Sequence, residues 1–342
     1  MNKFRIKKKL YLVVFLGVMA LGAGSLLSPV RTAAEETGAG SGSQEPGTKS
    51  QGIPAVKKKG TVMVYYKDLA GYPGLGVTAK YRKKKGLLQI DRNNIHVTLY
   101  AGKKKMLVND EMKHTLPVPV SVMKTEAGKK RLMIPARAVG QVLGLNYKYN
   151  SSKSLVTYTA KKANVSSSKN LQAKPFMLMS TEEFVRYMGP IARADYHKTG
   201  VLASVTLAQA IHESYAGCSL LAQKGNNLFG MKTYLSGNNW GGSAWKGKVF
   251  VKRTKEEYNH RTVTITARFR KYDNVMQSVN DHSAYLKNAR NGSRRRYAGL
   301  TNTRSYKKQL QIIKKGGYCT FANYTTMLGR VIKRYDLTKY DK

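Results

Sequence analysis

The hydrophobic period of this 342-residue chain changes partway along it. Between about Thr61 and Ala160, short apolar runs alternate with turns: TVMVYY, GLLQI, IHVTLY, KMLV, RLMI and SLVTYT. Their two-residue alternation and β-branched content predict strands. One short helix interrupts them, where Pro135 suits a first helical turn, Ala136 to Leu143 follow, and Gly144 serves as the stop. From about residue 178 the spacing becomes helical. Ser180 with Glu183 forms a capping-box pair that opens a helix at Thr181. Gly189-Pro190 is expected to break or kink it, Gly200 ends its continuation, and Val201 to about Leu221 reads as the next helix. The switch predicts an α+β multidomain protein, with a small β-rich domain over residues 61–160 and a mainly helical one over 178–342. Residues 35–60 and 161–177, with little to bury, read as linkers.

The chain carries 61 Lys and Arg against 18 Asp and Glu, a net charge of +43, and 42% of it is hydrophobic. Cores can form, and the surface must attract polyanions: nucleic acid, anionic lipid head groups or phosphate-rich wall polymers. The N-terminus chooses among these. Lys3, Arg5, Lys7, Lys8 and Lys9 precede the apolar run Leu10 to Leu27, and Thr32-Ala33-Ala34 then offers small residues before Glu35-Glu36. That order predicts a secretory signal peptide over residues 1–34, cleaved rather than kept as an anchor, so no stable membrane span is expected afterwards. Cleavage would remove six basic residues and no acidic one. The expected protein is therefore secreted and wall-associated, with anionic polymers such as teichoic acids as partners and no nucleic acid. Four basic clusters precede strands, at Lys57 to Lys59, Lys83 to Lys85, Lys103 to Lys105 and Lys129 to Arg131. They read either as a solvated rim or as a polyanion-binding face.

The informative segment for chemistry is SVTLAQAIHESYAGCSLLA, residues 204–222. Glu213 rises near the end of a largely apolar helix, with Gln209, Ala210, Ala216 and Gly217 one turn away. Small neighbours leave room for a substrate, and apolar surroundings raise a carboxyl pKa by penalising its charged form. A glycosidase keeps its general acid protonated in this way. The plainer alternative is a glutamate that caps a helix end or makes an ion pair there.

Downstream follow Asn226-Asn227-Leu228-Phe229-Gly230-Met231-Lys232, then FRKYDNVMQSVNDHSAYL (269–286) and GGYCTFANYTTMLGRVIKRYDL (316–337). With the AQAIHES helix, these resemble the glucosaminidase domain of glycoside hydrolase family 73, cell-wall autolysins that cut peptidoglycan between N-acetylglucosamine and N-acetylmuramic acid. The resemblance runs over about residues 178–342 and implies a lysozyme-like helical fold with a β-hairpin lobe. It implies Glu213 as general acid and Asn227 to Gly230, Asn227 and Phe229 among them, as a turn lining the cleft. It places a second carboxylate on a hairpin in Thr254 to Tyr258, at Glu256 or, alternatively, Glu257, and a tyrosine near the acid at Tyr318. Where the family has Gly-Tyr-Ala-Thr this chain has Gly-Tyr-Cys-Thr, so a disulfide between Cys218 and Cys319 across the cleft floor would be allowed; two free thiols are the alternative. Trp245 and Tyr272 are candidates for stacking on sugar faces, while Phe269 and Tyr285 read as core. Upstream, IPARAVGQVLGLNYKYNSSKSLVTYTA (134–160) resembles the stalk module called the copper amine oxidase N-terminal-like domain, a resemblance that covers about residues 88–160 and implies a spacer or wall-attachment role. Despite that name, the chain shows no His/Cys cluster for copper, and no cofactor is expected.

Other chemistries lack support. His212-Glu213 is not the start of HExxH, because position 216 is Ala. Neither cysteine sits in a hydrolase motif, and no GxGxxG or GxxxxGK[ST] occurs. Two alternatives stay open: a wall-binding protein that has lost turnover, and a muramidase or lytic transglycosylase acting on the neighbouring bond.

Overall fold

The computed structural model describes residues 52–125, 128–165, 170–234, 240–258, 261–319 and 321–342, and within the hairpin it describes no side chains over residues 255–263. The expected signal peptide and most of the first linker lie outside the described residues. Among the described residues no helix is long and apolar enough to cross a membrane.

The β-rich domain holds two antiparallel sheets. In the first, β1 (Ile53–Lys58), β2 (Thr61–Tyr65), β8 (Ser121–Lys124), β9 (Lys130–Pro135), β10 (Leu145–Asn150) and β11 (Leu155–Ala160) lie in the order β10-β11-β1-β2-β9-β8. The second is a meander of β3 (Val77–Arg82), β4 (Leu87–Arg92), β5 (Ile95–Tyr100), β6 (Lys105–Val108) and β7 (Met112–Thr115). Both follow from alternation. Along β4 every second residue is buried, and Leu88, Ile90, Val97 and Leu99 share one core with Ile53, Val64, Ile134 and Val156 from the first sheet. Helix α1 (Tyr66–Ala70) and helix α2 (Ala136–Val142) close the edges of that core.

Two boundaries are corrected. The first strand begins at Ile53, inside the stretch read as linker, because Ile53 and Ala55 alternate inward and β1 pairs with both β2 and β11. The second presumed linker is likewise partly core. Leu171, Ala173 and Phe176 are buried with the helices, and residues Lys174–Leu178 form a 3₁₀ turn.

The helical domain is built around α4 (Ala203–Ser214). Eleven of its twelve residues are buried, which marks it as the domain's central helix rather than a surface one. Against it pack α3 (Thr181–Thr199), α7 (Tyr306–Lys315) and α8 (Tyr324–Arg334), while α6 (Val275–Asn288) packs on α3 and α5 (Leu220–Gly225) follows the turn after α4. The capping box forms as read, with the Ser180 hydroxyl accepting from the Glu183 amide and the Glu183 carboxylate accepting from the Ser180 amide. Pro190 does not break α3, which runs unbroken to Thr199. Gly189 there lies against Tyr340, where an added Cβ would stand 2.2 Å from the ring. The next helix stops earlier than read, at Ser214, because Tyr215, Ala216 and Gly217 all take left-handed conformations (φ 51°, 50° and 83°). Only the glycine announces that turn in the sequence, since non-glycine residues rarely adopt it. A long hairpin, β12 (Val249–Tyr258) and β13 (Arg261–Arg270), projects from this domain and pairs Phe250 with Phe269. A two-residue ladder, β14 (Arg290–Asn291) with β15 (Arg294–Arg295), completes it.

The two domains meet through turns of the meander. The buried Asn109 amide donates to the Cys218 carbonyl at 2.8 Å. Asn94 accepts from the Thr181 hydroxyl at 2.8 Å, and His96 lies edge-on to Tyr215. The Asn109 and His96 contacts fall on the segment that terminates α4, and the Asn94 contact on the first residue of α3.

Candidate active site

Glu213 is the penultimate residue of α4 and is 6% exposed. Burial pushes its carboxyl up to about 8, and a hydrogen bond from Tyr324 pulls the other way. Its place at a helix C-terminus adds to the cost of a negative charge, because the macrodipole is negative there. A relay holds it. The Gln209 amide donates to the Tyr324 hydroxyl at 3.0 Å, and that hydroxyl donates to Glu213 Oε1 at 3.1 Å. Gln209 stands one turn before Glu213 on the same helix, and Tyr324 opens α8, so two helices fix one carboxyl oxygen. The other oxygen has no protein partner among these bonds.

Tyr324 is the tyrosine bonded to Glu213, and Tyr318 is its neighbour. Tyr318 is fully buried, its ring stacked on Tyr324 at 6.2 Å between centroids. Its hydroxyl is buried with no hydrogen-bond partner among the described residues. Sequence reading missed Tyr324 because a tyrosine at the start of an amphipathic helix looks like core. His282, equally buried, lies stacked on Phe229 at 3.9 Å, and burial pushes its ring down to about 3. That neutral imidazole is structural.

Three proposed sugar contacts are corrected. Asn227 is 1% exposed, its amide donating to the Met231 and Arg270 carbonyls and its oxygen accepting from the Met231 amide. It braces the turn from inside. Phe229 has no exposed surface because the turn directs it into the core beneath His282. Tyr272 is 2% exposed and spends its hydroxyl on Asp281 at 2.5 Å. Phe269 and Tyr285 are core as read.

Asp281 is the centre of a second cluster that sequence reading did not find. It is fully buried and takes both Arg270 (2.8 and 3.0 Å) and the Ser243 hydroxyl (2.6 Å) besides Tyr272. A buried ion pair is tolerable only when its remaining lone pairs are satisfied, as here. The Arg270 guanidinium also lies over both tryptophans, 4.2 Å from the Trp240 ring and 4.8 Å from Trp245. The cluster therefore pins the 240–248 loop. Trp245 remains half-buried, with a face available to solvent.

Cys218 and Cys319 are free, which corrects the proposed disulfide. The left-handed turn after α4 sends Cys218 beneath the 3₁₀ segment, where its thiol faces the Phe176 carbonyl at 3.3 Å. Glu256 and Glu257 sit near the hairpin tip, opposite Val263 and Thr262; their side chains lie outside the described residues. Strand alternation sets residue 256 in phase with Phe250 and Lys252, and residue 257 in phase with the exposed Val251.

Comparison with known proteins agrees with this picture. Residues 189–337 match the family described as mannosyl-glycoprotein endo-beta-N-acetylglucosaminidase, and residues 47–158 match the copper amine oxidase N-terminal domain. The chain is 33% identical over 159 residues to the exo-glucosaminidase LytG of Bacillus subtilis, covering 46% of this chain and 53% of the relative. It is 33% identical over 165 residues to a probable N-acetylmuramidase of Lactococcus lactis, covering 47% of this chain and 35% of the relative. It thus spans about half or less of these curated relatives. Among solved structures it is similar to the catalytic domain of the autolysin Auto from Listeria monocytogenes, at 28% identity and TM-score 0.41, over 47% of this chain and 87% of that one.

Proposed function

With residues 189–337 belonging to the glucosaminidase family and residues 47–158 to the copper amine oxidase N-terminal domain family, we propose that this protein is a secreted peptidoglycan hydrolase. In this reading it is an endo-β-N-acetylglucosaminidase that cuts the bond from N-acetylglucosamine to N-acetylmuramic acid. The observation that carries the reading is Glu213: a carboxyl buried, raised to about 8 and hydrogen-bonded on one oxygen by Tyr324. Such a group is protonated at neutral pH and can give its proton to a glycosidic oxygen as the bond breaks. Tyr324, by occupying Oε1, leaves the proton on Oε2.

The second carboxylate is assigned to Glu256, which is in phase with the inward Phe250. Glu257 is the alternative, and a substrate whose own acetamido oxygen attacks would need neither. A separation of ~6.5–9.5 Å between the carboxyls would favour inversion and ~5–5.5 Å retention. Tyr318, fully buried, supports the acid at one remove by stacking on Tyr324, the ring that holds Glu213. Trp245 supplies a sugar-stacking face. The β-rich domain and the basic surface hold the enzyme on anionic wall polymers such as teichoic acids. That retention should weaken with salt, since exposed charges are screened over ~8 Å at physiological ionic strength.

The test is digestion of isolated peptidoglycan by the wild-type chain and by Glu213→Gln. Fragments are reduced with borohydride and their reducing-end sugar is identified by mass spectrometry. Reduced N-acetylglucosamine from the wild type, falling ~10²–10⁴-fold in the variant, supports the assignment. Reduced muramic ends would make the protein a muramidase. No fragments at all would leave a wall-binding protein.

A further inference from the structure

A cavity of about 470 Å³ opens on the helical domain, lined by Trp240, Gly241, Asn288, Arg290 and Arg295. This volume is in the range of small-molecule sites, and its lining is built rather than incidental. Trp240 is fixed from behind by the Arg270 guanidinium and by the Tyr285 ring, 4.9 Å away. The Asn288 amide donates to the Gly241 carbonyl, which ties the end of α6 to the 240–248 loop. Arg290 donates to the Ser293 carbonyl at 2.8 Å, which holds its guanidinium on the β14–β15 ladder. Arg295 makes no hydrogen bond or ion pair among the described residues.

The charge on these two arginines is not neutralised nearby. From residue 282 to 335 the sequence contains no Asp or Glu. The acids just before that stretch are already taken, Asp281 by Arg270 and Asp273 by Lys246 and Lys248. Two guanidiniums beside an indole and an amide make a pocket for a planar anion, since their forked donors match a carboxylate.

The pocket also adjoins the acid's wall. Tyr285, which backs Trp240, lies 6.4 Å from Tyr318, and Tyr318 lies 6.2 Å from Tyr324, the residue bonded to Glu213. From the other side, Arg296 next to the ladder donates to the Gly316 and Gly317 carbonyls, immediately before Tyr318. A single line of packed aromatics thus separates the pocket from the catalytic carboxyl.

We propose that this pocket is a subsite for the carboxylate of a peptide side chain borne by the glycan, with Arg290 and Arg295 as its ligands. The proposal rests on the peptidoglycan reading above. The anion is assigned to the same polymer as the bond being cut because only the Tyr285, Tyr318 and Tyr324 rings lie between the pocket and Glu213. The subsite adds binding without touching the reacting bond, so it acts on KM.

The experiment uses the full chain and the Arg290→Gln, Arg295→Gln and Arg294→Gln variants. Arg294 is an exposed neighbour outside the lining and removes the same charge. Two substrates are compared, glycan strands carrying their peptides and strands stripped of them by an amidase. Loss of a charge-assisted contact should raise KM about tenfold on peptide-bearing strands for Arg290→Gln and Arg295→Gln. Stripped strands and Arg294→Gln should show no such change. An equal effect on both substrates, or from Arg294→Gln, would overturn the subsite in favour of diffuse charge. Calorimetry with a soluble N-acetylmuramyl pentapeptide gives a readout independent of turnover. If the wild type cuts neither substrate but binds this peptide through Arg295, the subsite stands and the glucosaminidase reading falls. Binding of a glycerol-phosphate oligomer at these arginines without binding of the muramyl peptide would overturn the proposal and assign the pocket to a phosphate polymer.

Discussion

The ammonium of Lys252 lies 2.6 Å from Oε1 of Glu111, joining hairpin strand β12 to a turn of the β-rich domain 141 residues earlier. The Lys252 side chain is 10% exposed and Glu111 34%, so the pair is only partly screened by water. Four residues farther along the same strand is Glu256. The N-terminal domain is therefore more than a tether, because it bears on the hairpin as well as on the turn that ends α4.

Breaking that pair should loosen the hairpin. Lys252→Met and Glu111→Gln are each expected to cost about 1 kcal/mol of stability, as for a partly exposed ion pair. A double-mutant cycle by urea unfolding should show a coupling of about 0.5–1.5 kcal/mol. The rate constant for glycan cleavage should fall several-fold in both single variants. Additive stabilities together with unchanged turnover would show that the domains merely touch.

Tyr324→Phe removes the one hydrogen bond that favours the ionised form of Glu213. The carboxyl, already raised to about 8 by burial, should then titrate higher still. The acid works when protonated, so activity is lost as pH rises through that value. The alkaline limb of the kcat/KM profile should accordingly move to higher pH, while the plateau drops because Oε1 is no longer held. A limb that moved to lower pH would contradict the relay from Gln209.

The order of a β-rich domain before a helical one, and the apolar surroundings of Glu213, were legible because they depend on local pattern. Alternating strands, the Ser180–Glu183 capping box and a glutamate in an apolar helix are each written in consecutive residues. The tyrosine that holds the acid was not, because Tyr324 comes 111 residues after Glu213 and only tertiary packing brings them together. Asn227, Phe229 and Tyr272 stand in motifs that implied a cleft, but spacing cannot tell a residue that lines a turn from one that braces it. Asn227 turned inward because the Met231 and Arg270 carbonyls and the Met231 and Phe229 amides bond to its side chain. The left-handed turn at Tyr215 and Ala216 was hidden for a different reason: neither residue type favours it, and docking of Asn109 and His96 against that segment supports it.

Asn227→Ala distinguishes the brace from a sugar ligand. The substitution takes the Asn227 partner from the Arg270 carbonyl and the Met231 amide in a buried site, and one of two donors from the Met231 carbonyl. Unpaired buried groups of this kind should cost roughly 2–4 kcal/mol in total, read as a lower urea midpoint. At 1% exposure the side chain cannot reach a glycan, so KM measured on the folded fraction should not change. A raised KM with unaltered stability would return Asn227 to the cleft.

Glu213→Gln gives a stability signature that needs no substrate. The wild-type carboxyl titrates near its ordinary value of 4.5 when unfolded and near 8 when folded, because burial penalises the charge. Between those values the native state holds the proton more tightly, so wild-type stability should fall as pH rises from about 4.5 and level off above 8. Glutamine keeps the shape and stays neutral. The two proteins should therefore have similar stability at pH 4, and the variant should gain relative to wild type with pH to an upper limit on the order of 5 kcal/mol at pH 9. Urea unfolding at pH 4, 6, 8 and 9 measures the divergence. Parallel curves would mean that Glu213 ionises at its ordinary pH, and a carboxyl that does so would be too rarely protonated near neutrality to serve as the general acid.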